Sequence, residues 1–292
     1  MLYGSEKKTQ SGLLQALTTR GFAVAGAIWT PLLGGRTNKS WRVDAQGQSI
    51  VVKLFRLGGL NPLFPNDPTS EVIALRHLAG LKLAPAFLDE FLTEEGHCVI
   101  YQHVPGQIWQ DGSSEIAELL YRVHNADGLQ GLRKVPDGSD AIVAQTNRIL
   151  DCCPQSRAQH LRALKPAGMI PPCNRFSFLH GDPVPGNIVG AQGAWWLIDW
   201  QCPALGDPCE DIALFLSPAM QLAYRGTPLT DTERQTFLSA YPNQELIKRY
   251  LSLAGFYHWR MAAYCLWLES QGDCSARDAA DAEIAALAAA DG

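Results

Sequence analysis

His180, Asp182 and Asn187 fall on one loop of segment 176–201, FSFLHGDPVPGNIVGAQGAWWLIDWQ, and Asp199 follows a second short apolar run. An aspartate followed five residues later by an asparagine is the spacing that phosphoryl transfer to an alcohol requires. The aspartate meets the attacking hydroxyl, and the asparagine reaches back to a magnesium ion. Asn187-Ile-Val and Trp195-Trp-Leu-Ile are apolar and flank Gly190-Ala-Gln-Gly193, which reads as a β-hairpin turn. The hairpin would return Asp199 to the side of Asn187, so that two oxygen ligands converge on one cation. Mg²⁺ suits this arrangement, because it prefers hard oxygen donors and shares its shell between few protein groups and phosphate. A plain polar turn closed by Asx hydrogen bonds is the simpler alternative. A two-metal phosphoesterase would need several histidines, and beyond Asn187 the chain has only His258.

Such chemistry needs a cation on the nucleotide phosphates and a carboxylate that holds it. Residues 50–55, IVVKLF, read as a β-branched strand whose alternation puts Val51, Lys53 and Phe55 on one face. A lysine between two apolar neighbours on such a face points into a cleft or sits on an edge strand. The following helix, 70–78, carries Glu71, Leu75 and Leu78 on one stripe. A carboxylate on an inward stripe needs a partner, because burying an unpaired charge is expensive. Lys53 is the nearest upstream candidate, and the pair is the expectation.

The motifs HGDPVPGN at 180–187, IDW at 198–200 and GDPCEDIA at 206–213 resemble those of the aminoglycoside phosphotransferase and choline kinase group, relatives of the protein kinases. The resemblance implies a two-lobed, protein-kinase-like α+β fold with a small antiparallel β-sheet lobe and a larger, mainly helical lobe. It implies ATP and Mg²⁺ as cofactors, Asp182 as catalytic base, Asn187 and Asp199 as magnesium ligands, and Asp211 as a brace for the loop. His180 would fix the loop backbone, as its kinase counterpart does. The stretch 33–43, LGGRTNKSWRV, resembles the GG-x-TN loops of the choline kinase branch, which places Thr37 and Asn38 near the phosphates. The adjacent glycines Gly34 and Gly35 are equally a hairpin turn. Residues 99–106, VIYQHVPG, would form the hinge that holds adenine, with Ile100 and Tyr101 packed on the base.

The acceptor is written less plainly. Tyr250, Tyr257 and Tyr264 recur at seven-residue intervals and share a helix face, with Trp267 one turn beyond. Such a stripe serves either as core or as a cage. Choline kinases use aromatic residues of late helices around a quaternary ammonium, and cation–π attraction suits such an acceptor. Trp200, Glu210, Tyr257, Tyr264 and Trp267 are therefore the candidate substrate residues, and Trp200 could equally pack under the loop. IDW and the late helix look more like the choline and thiamine kinase branch than like aminoglycoside enzymes. The expected acceptor is a cationic alcohol such as choline, ethanolamine or thiamine. An aminoglycoside or sugar kinase, and a nucleotide-binding protein without catalysis, are the rivals.

The bulk properties agree with a globular enzyme. The 292 residues, 47% hydrophobic and 18% charged, supply a sizeable core in one or two domains. A net charge of −5 gives no support for nucleic-acid binding. The eight cysteines show no CxxC pair or metal-finger spacing, so free thiols in a reducing, cytoplasmic compartment are expected. Charged residues interrupt each long apolar run, which argues against a signal peptide or a membrane span. Strands are expected at 28–33, 39–43, 50–55, 87–92 and 97–103, with a turn at Pro105-Gly106 separating a nucleotide-binding lobe, 1–103, from a catalytic and substrate-binding lobe, 104–292. Helices are expected at 12–19, 70–78, 115–124, 141–150, 212–222, 246–270 and 275–290.

Overall fold

The computed structural model describes residues 2–32, 37–56, 58, 61–127 and 131–290, with side chains from residue 9 onward. Gly34, Gly35 and Arg36 of the glycine-containing loop lie outside the described residues. The fold has the expected two-lobed α+β architecture. Helix α1 (Leu2–Thr19) precedes β1 (Ile28–Pro31), β2 (Lys39–Ala45) and β3 (Gln48–Phe55); α2 (Pro68–His77) then leads to β4 (Phe87–Thr93) and β5 (Gly96–Gln102). The strands form one antiparallel sheet in the order β1-β2-β3-β5-β4.

Alternation along the strands sorts this sheet into two apolar layers. Val52, Leu54, Cys98 and Ile100 pack against Leu13 and Leu17 of α1. Val51, Phe55, Val99 and Tyr101 face the other way and join Val72 and Leu75 of α2 in the main core. Helix α2 starts where Asp67 accepts from the Thr69 backbone N–H at 3.0 Å, and Pro68 needs no donor there.

The helical lobe follows as β6 (Gln107–Ile108), α3 (Ser113–His124), β7 (Arg133–Lys134), α4 (Ser139–Asp151) and α5 (Gln155–Ala163). Next come β8 (Ser177–Leu179), a 3₁₀ turn (Pro185–Asn187), β9 (Ile188–Ala191), β10 (Ala194–Leu197) and β11 (Ala204–Gly206). It closes with α6 (Cys209–Leu216), α7 (Pro218–Arg225), α8 (Asp231–Ala240), α9 (Gln244–Ser270) and α10 (Ala276–Ala290). The expected hairpin is β9 and β10, with Ile188 opposite Leu197. Strand β6 pairs with β9, so the chain joins the β9–β10 hairpin directly after leaving the sheet lobe. At that crossing Gly106 has φ +141°, and a Cβ on it would lie 2.5 Å from the Gly190 backbone.

Three local differences from expectation have clear causes. The helix expected over 212–222 is two helices, because Pro218 cannot continue α6 and instead starts α7, with Ser217 as its cap. Helices α5 and α8 lie in polar stretches whose weak periodicity hid them, although Thr230 and Glu233 form a full capping box. Helix α1 begins well before residue 12. Helix α9 is buried on every side over 253–266, enclosed by α4, α6 and α10.

Candidate active site

The segment between β8 and β9 that carries Asp182 and Asn187 is held by one carboxylate. Asp211, at the start of α6 and fully buried, accepts from the His180 N–H at 2.8 Å and the Gly181 N–H at 2.9 Å. His124 Nε2 stands 3.2 Å from the same carboxylate, and its Nδ1 lies 2.7 Å from the Tyr241 hydroxyl. A carboxylate only accepts, so Nε2 carries a proton and donates to Asp211. Burial alone would raise the Asp211 pKa, but His124 and the loop N–H groups hold it below its ordinary value. The loop must also turn sharply. Gly181 has φ +79°, and a Cβ there would meet the Cys202 carbonyl at 2.1 Å. The His180 ring lies 3.0 Å from the Ile198 carbonyl, tying the loop to the residue before Asp199. Burial keeps that ring's pKa below the ordinary value.

On this frame Asp182 and Asn187 meet. Asn187 Nδ2 donates to the Asp182 carbonyl at 2.9 Å and to its Oδ2 at 3.2 Å. With the amide nitrogen so engaged, Asn187 Oδ1 accepts no hydrogen bond among the described residues. Burial, then the charge of Asp199, pushes the Asp182 carboxyl well above the usual range, against the pull of Asn187. The Ile198 N–H donates to the Asn187 carbonyl at 2.9 Å, which brings the residue before Asp199 alongside Asn187. Asp199 itself has φ +63°, a left-handed conformation that a non-glycine residue rarely holds without support.

Lys53 of β3 is buried and bonded to both Glu71 of α2 and Asp199. Burial would lower its pKa, but Asp199 and then Glu71 hold it above the ordinary value. One cation thus serves two carboxylates. Burial pushes Glu71 up to about 7, with Lys53 opposing the rise and Asp199 adding to it. Glu71 Oε1 is buried without a partner among the described residues. The donor set fits a magnesium ion: a free amide oxygen on Asn187 and a carboxylate on Asp199 that one shared lysine leaves partly neutralised.

Other candidates sit elsewhere. Tyr101 shares the Lys53 face, but Ile100 lies on the opposite face beneath α1, because neighbours on a strand point apart. It cannot pack on a base beside Tyr101. The Asn38 amide is engaged by Asn66 and Gln201, and Thr37 is half-buried beside it. Trp200 is fully buried, stacked on Phe178 at 5.6 Å and edge-on to His180, so it packs under the loop. Glu210 is buried and closed in a two-point ion pair with Arg260 at 2.6 and 3.0 Å, which removes its charge from any acceptor. Tyr257 is core, with the Arg260 guanidinium over its ring. Tyr264 and Trp267 remain together, stacked at 5.7 Å, with Phe64 edge-on to Tyr264. Their cluster also holds Val184 of the catalytic loop.

Two features escaped the sequence. Asn66 lies in a Pro-, Asn- and Asp-rich stretch that reads only as a connection, and Gln201 follows the aspartate motif without any signal of its own. Asp207 is buried and paired with Arg249 at 2.6 Å, and the same guanidinium reaches Asp137 at 3.1 Å.

A model of the phosphotransferase enzyme family matches residues 28–250. Among solved structures, a choline/ethanolamine kinase family protein from Mesorhizobium loti superposes with a TM-score of 0.62 at 16% identity, covering 90% of this chain and 87% of that one. Choline kinase from Cryptosporidium parvum gives 0.60 at 16% identity, over 96% and 95% of the two chains. A thermostable mutant of aminoglycoside phosphotransferase APH(4)-Ia, in ternary complex with ADP and hygromycin B, gives 0.63 at 19% identity, over 92% and 96%. No curated protein matches the sequence.

Proposed function

The chain belongs to the phosphotransferase enzyme family, and from that premise we propose that it transfers the γ-phosphate of ATP to the hydroxyl of a small cationic alcohol of the choline, ethanolamine or thiamine kind. The observation that carries the reading is the joining of two lobes at one point: Lys53, held by Glu71, reaches Asp199, while Asn187 fixes Asp182. Asp182 is the base. Its raised pKa suits a group that must take a proton from an alcohol in the transition state. Asn187 holds that carboxylate in place and turns its own Oδ1 outward. Lys53 carries the charge that meets the α- and β-phosphates. Asn187 and Asp199 would hold Mg²⁺, which neutralises phosphate charge when bound. No covalent intermediate is needed, since positioning and preorganised charge supply most of the catalysis.

The nucleotide would lie between residues 1–103 and 104–292, with Tyr101 of β5 on the cleft side. For the acceptor, the names of the choline kinase neighbours support a cationic group, and Trp267, partly buried and stacked on the buried Tyr264, is the aromatic residue left to meet it. The eight cysteines are free, which suits a cytoplasmic enzyme. No helix among the described residues is long and apolar enough to cross a membrane.

The test is acceptor-dependent ADP release with Mg²⁺ across choline, ethanolamine, thiamine, homoserine, aminosugars and aminoglycosides. Release that one cationic alcohol stimulates and that Asp182→Ala abolishes is the expected result. Stimulation by aminoglycosides alone would replace the acceptor. Nucleotide binding without transfer to any acceptor would favour a non-catalytic protein.

A further inference from the structure

Three side-chain amides meet where the lobes face each other. Asn38 Nδ2 donates to Gln201 Oε1 at 2.7 Å and to Asn66 Oδ1 at 2.8 Å. Asn66 Nδ2 returns a bond to Asn38 Oδ1 at 3.0 Å, and the Arg56 N–H donates to the same oxygen at 3.2 Å. Four separate segments thus converge: the turn before β2, the end of β3, the connection into α2, and the residue two beyond Asp199. The Gln201 carbonyl also accepts from the Asp67 N–H at 3.4 Å, and Asp67 caps the helix that carries Glu71.

We propose that Asn38, Asn66 and Gln201 form an interlobe latch that sets the turn before β2 against Asp199, with Gln201 as the positioning residue on the helical side. The proposal rests on nucleotide binding between the lobes. Gln201 comes from the helical lobe, whereas Asn38 and Asn66 belong to the sheet lobe, so the lobes cannot part without breaking its bond. It is itself mostly buried, at 8% exposure. Trp200 anchors the intervening residue, its indole N–H donating to the Leu197 carbonyl at 2.8 Å. Asp199 therefore keeps its left-handed backbone between Leu197 and Gln201, two points that the latch and the tryptophan hold fixed. The latch is built of neutral amides, so it can lie beside an arriving triphosphate without repelling it. It also gives Asn38 a role other than direct phosphate contact.

The contact uses Gln201 only as an acceptor, which makes the test selective. Gln201→Met keeps the shape and removes the acceptor; the loss of one neutral hydrogen bond raises KM for ATP about two- to tenfold, with kcat changed less than KM. Asn66→Ala does the same from the other lobe. The double variant is no worse than the more severe single one, because both break one device. Gln201→Glu, which retains acceptor oxygens but adds a negative charge, keeps the wild-type amide exchange of residues 37–45 without nucleotide while its charge leaves KM for ATP raised. Effects that multiply in the double variant, or a Gln201→Met enzyme that loses melting temperature while KM stays put, would overturn the latch. Amide exchange of residues 37–45 without nucleotide separates this from the kinase reading. Exchange that Gln201→Met leaves unchanged sinks the latch whatever the enzyme does. A wild-type chain that binds no Mg²⁺ and ADP sinks nucleotide binding, and faster exchange in the variant then upholds the latch contacts.

Discussion

Two buried carboxylates near the same loop have opposite surroundings. Asp211 receives two backbone N–H groups and a histidine whose far side is itself satisfied by Tyr241. Glu71 shares its lysine with Asp199 and leaves one oxygen without a partner. The first network is complete and its acid is held in the charged form. The second is short by one positive charge, and its acid is pushed up to about 7 by burial. Buried polar groups are normally satisfied, so a deficit of this kind marks a place built to receive something. A divalent ion and its phosphates would change the charge balance there; nothing needs to arrive at Asp211.

Removing each carboxylate or cation should divide stability from activity along that line. The largest effect is expected at Asp211→Ala, which strands the His180 and Gly181 N–H groups and His124. A loss of about 3–5 kcal/mol in denaturant unfolding is expected, as for breaking other buried charged networks. Lys53→Met should do the reverse. Turnover falls at least about a hundredfold, as when a preorganised charge is removed elsewhere, while unfolding free energy changes far less because Glu71 can take up a proton. Equal destabilisation by the two variants would erase the contrast.

The contrast also has a pH signature. Between 4.5 and about 7 folded Glu71 binds more protons than the unfolded chain does, so its contribution falls as pH rises through that window. His180 works in the opposite sense. Its folded pKa is depressed below 6.5, so stability is lost as pH falls below that value and the unfolded ring charges first. Asp211, also depressed, adds a loss only at more acidic pH, below 3.8. The difference between wild type and Glu71→Gln, followed by denaturant unfolding at pH 5 and pH 8 without nucleotide, isolates the glutamate. Wild type should gain less than the variant on going to pH 8. The smallest effect is expected at Tyr264→Phe, which removes the hydroxyl that accepts from Asn61 at 2.8 Å. A cost of about 1 kcal/mol is expected from calorimetry.

Legibility in the sequence followed the distance along the chain over which each feature is decided. The hairpin that carries Asp199 back beside Asn187 is set by turn chemistry and two short apolar runs, and both were readable. The placing of Lys53 and Glu71 on facing surfaces needed only strand alternation and helix period. The same alternation, applied to Ile100 and Tyr101 together, rules out their sharing a face. Glu210 and Arg260 lie 50 residues apart, and no local pattern reveals that they neutralise one another. Tyr257 and Tyr264 share a helix face, and α9 is wrapped so completely that both are buried, in two different apolar clusters, while Trp267 one turn on is only partly buried.

The two-lobed architecture was implied by the resemblance of the sequence motifs. By itself the sequence determined the run of strands followed by helices, the spacing of Asp182, Asn187 and Asp199, and the inward faces of Lys53 and Glu71. These rest on residues close in sequence, where backbone geometry fixes which side chains meet. Only the tertiary structure decided which charges are paired off, which aromatic residues are buried, and that Asn38, Asn66 and Gln201 close one network. Those outcomes depend on burial and on partners from distant segments. The same glutamate is a ligand or a spent ion pair according to whether packing delivers an arginine to it.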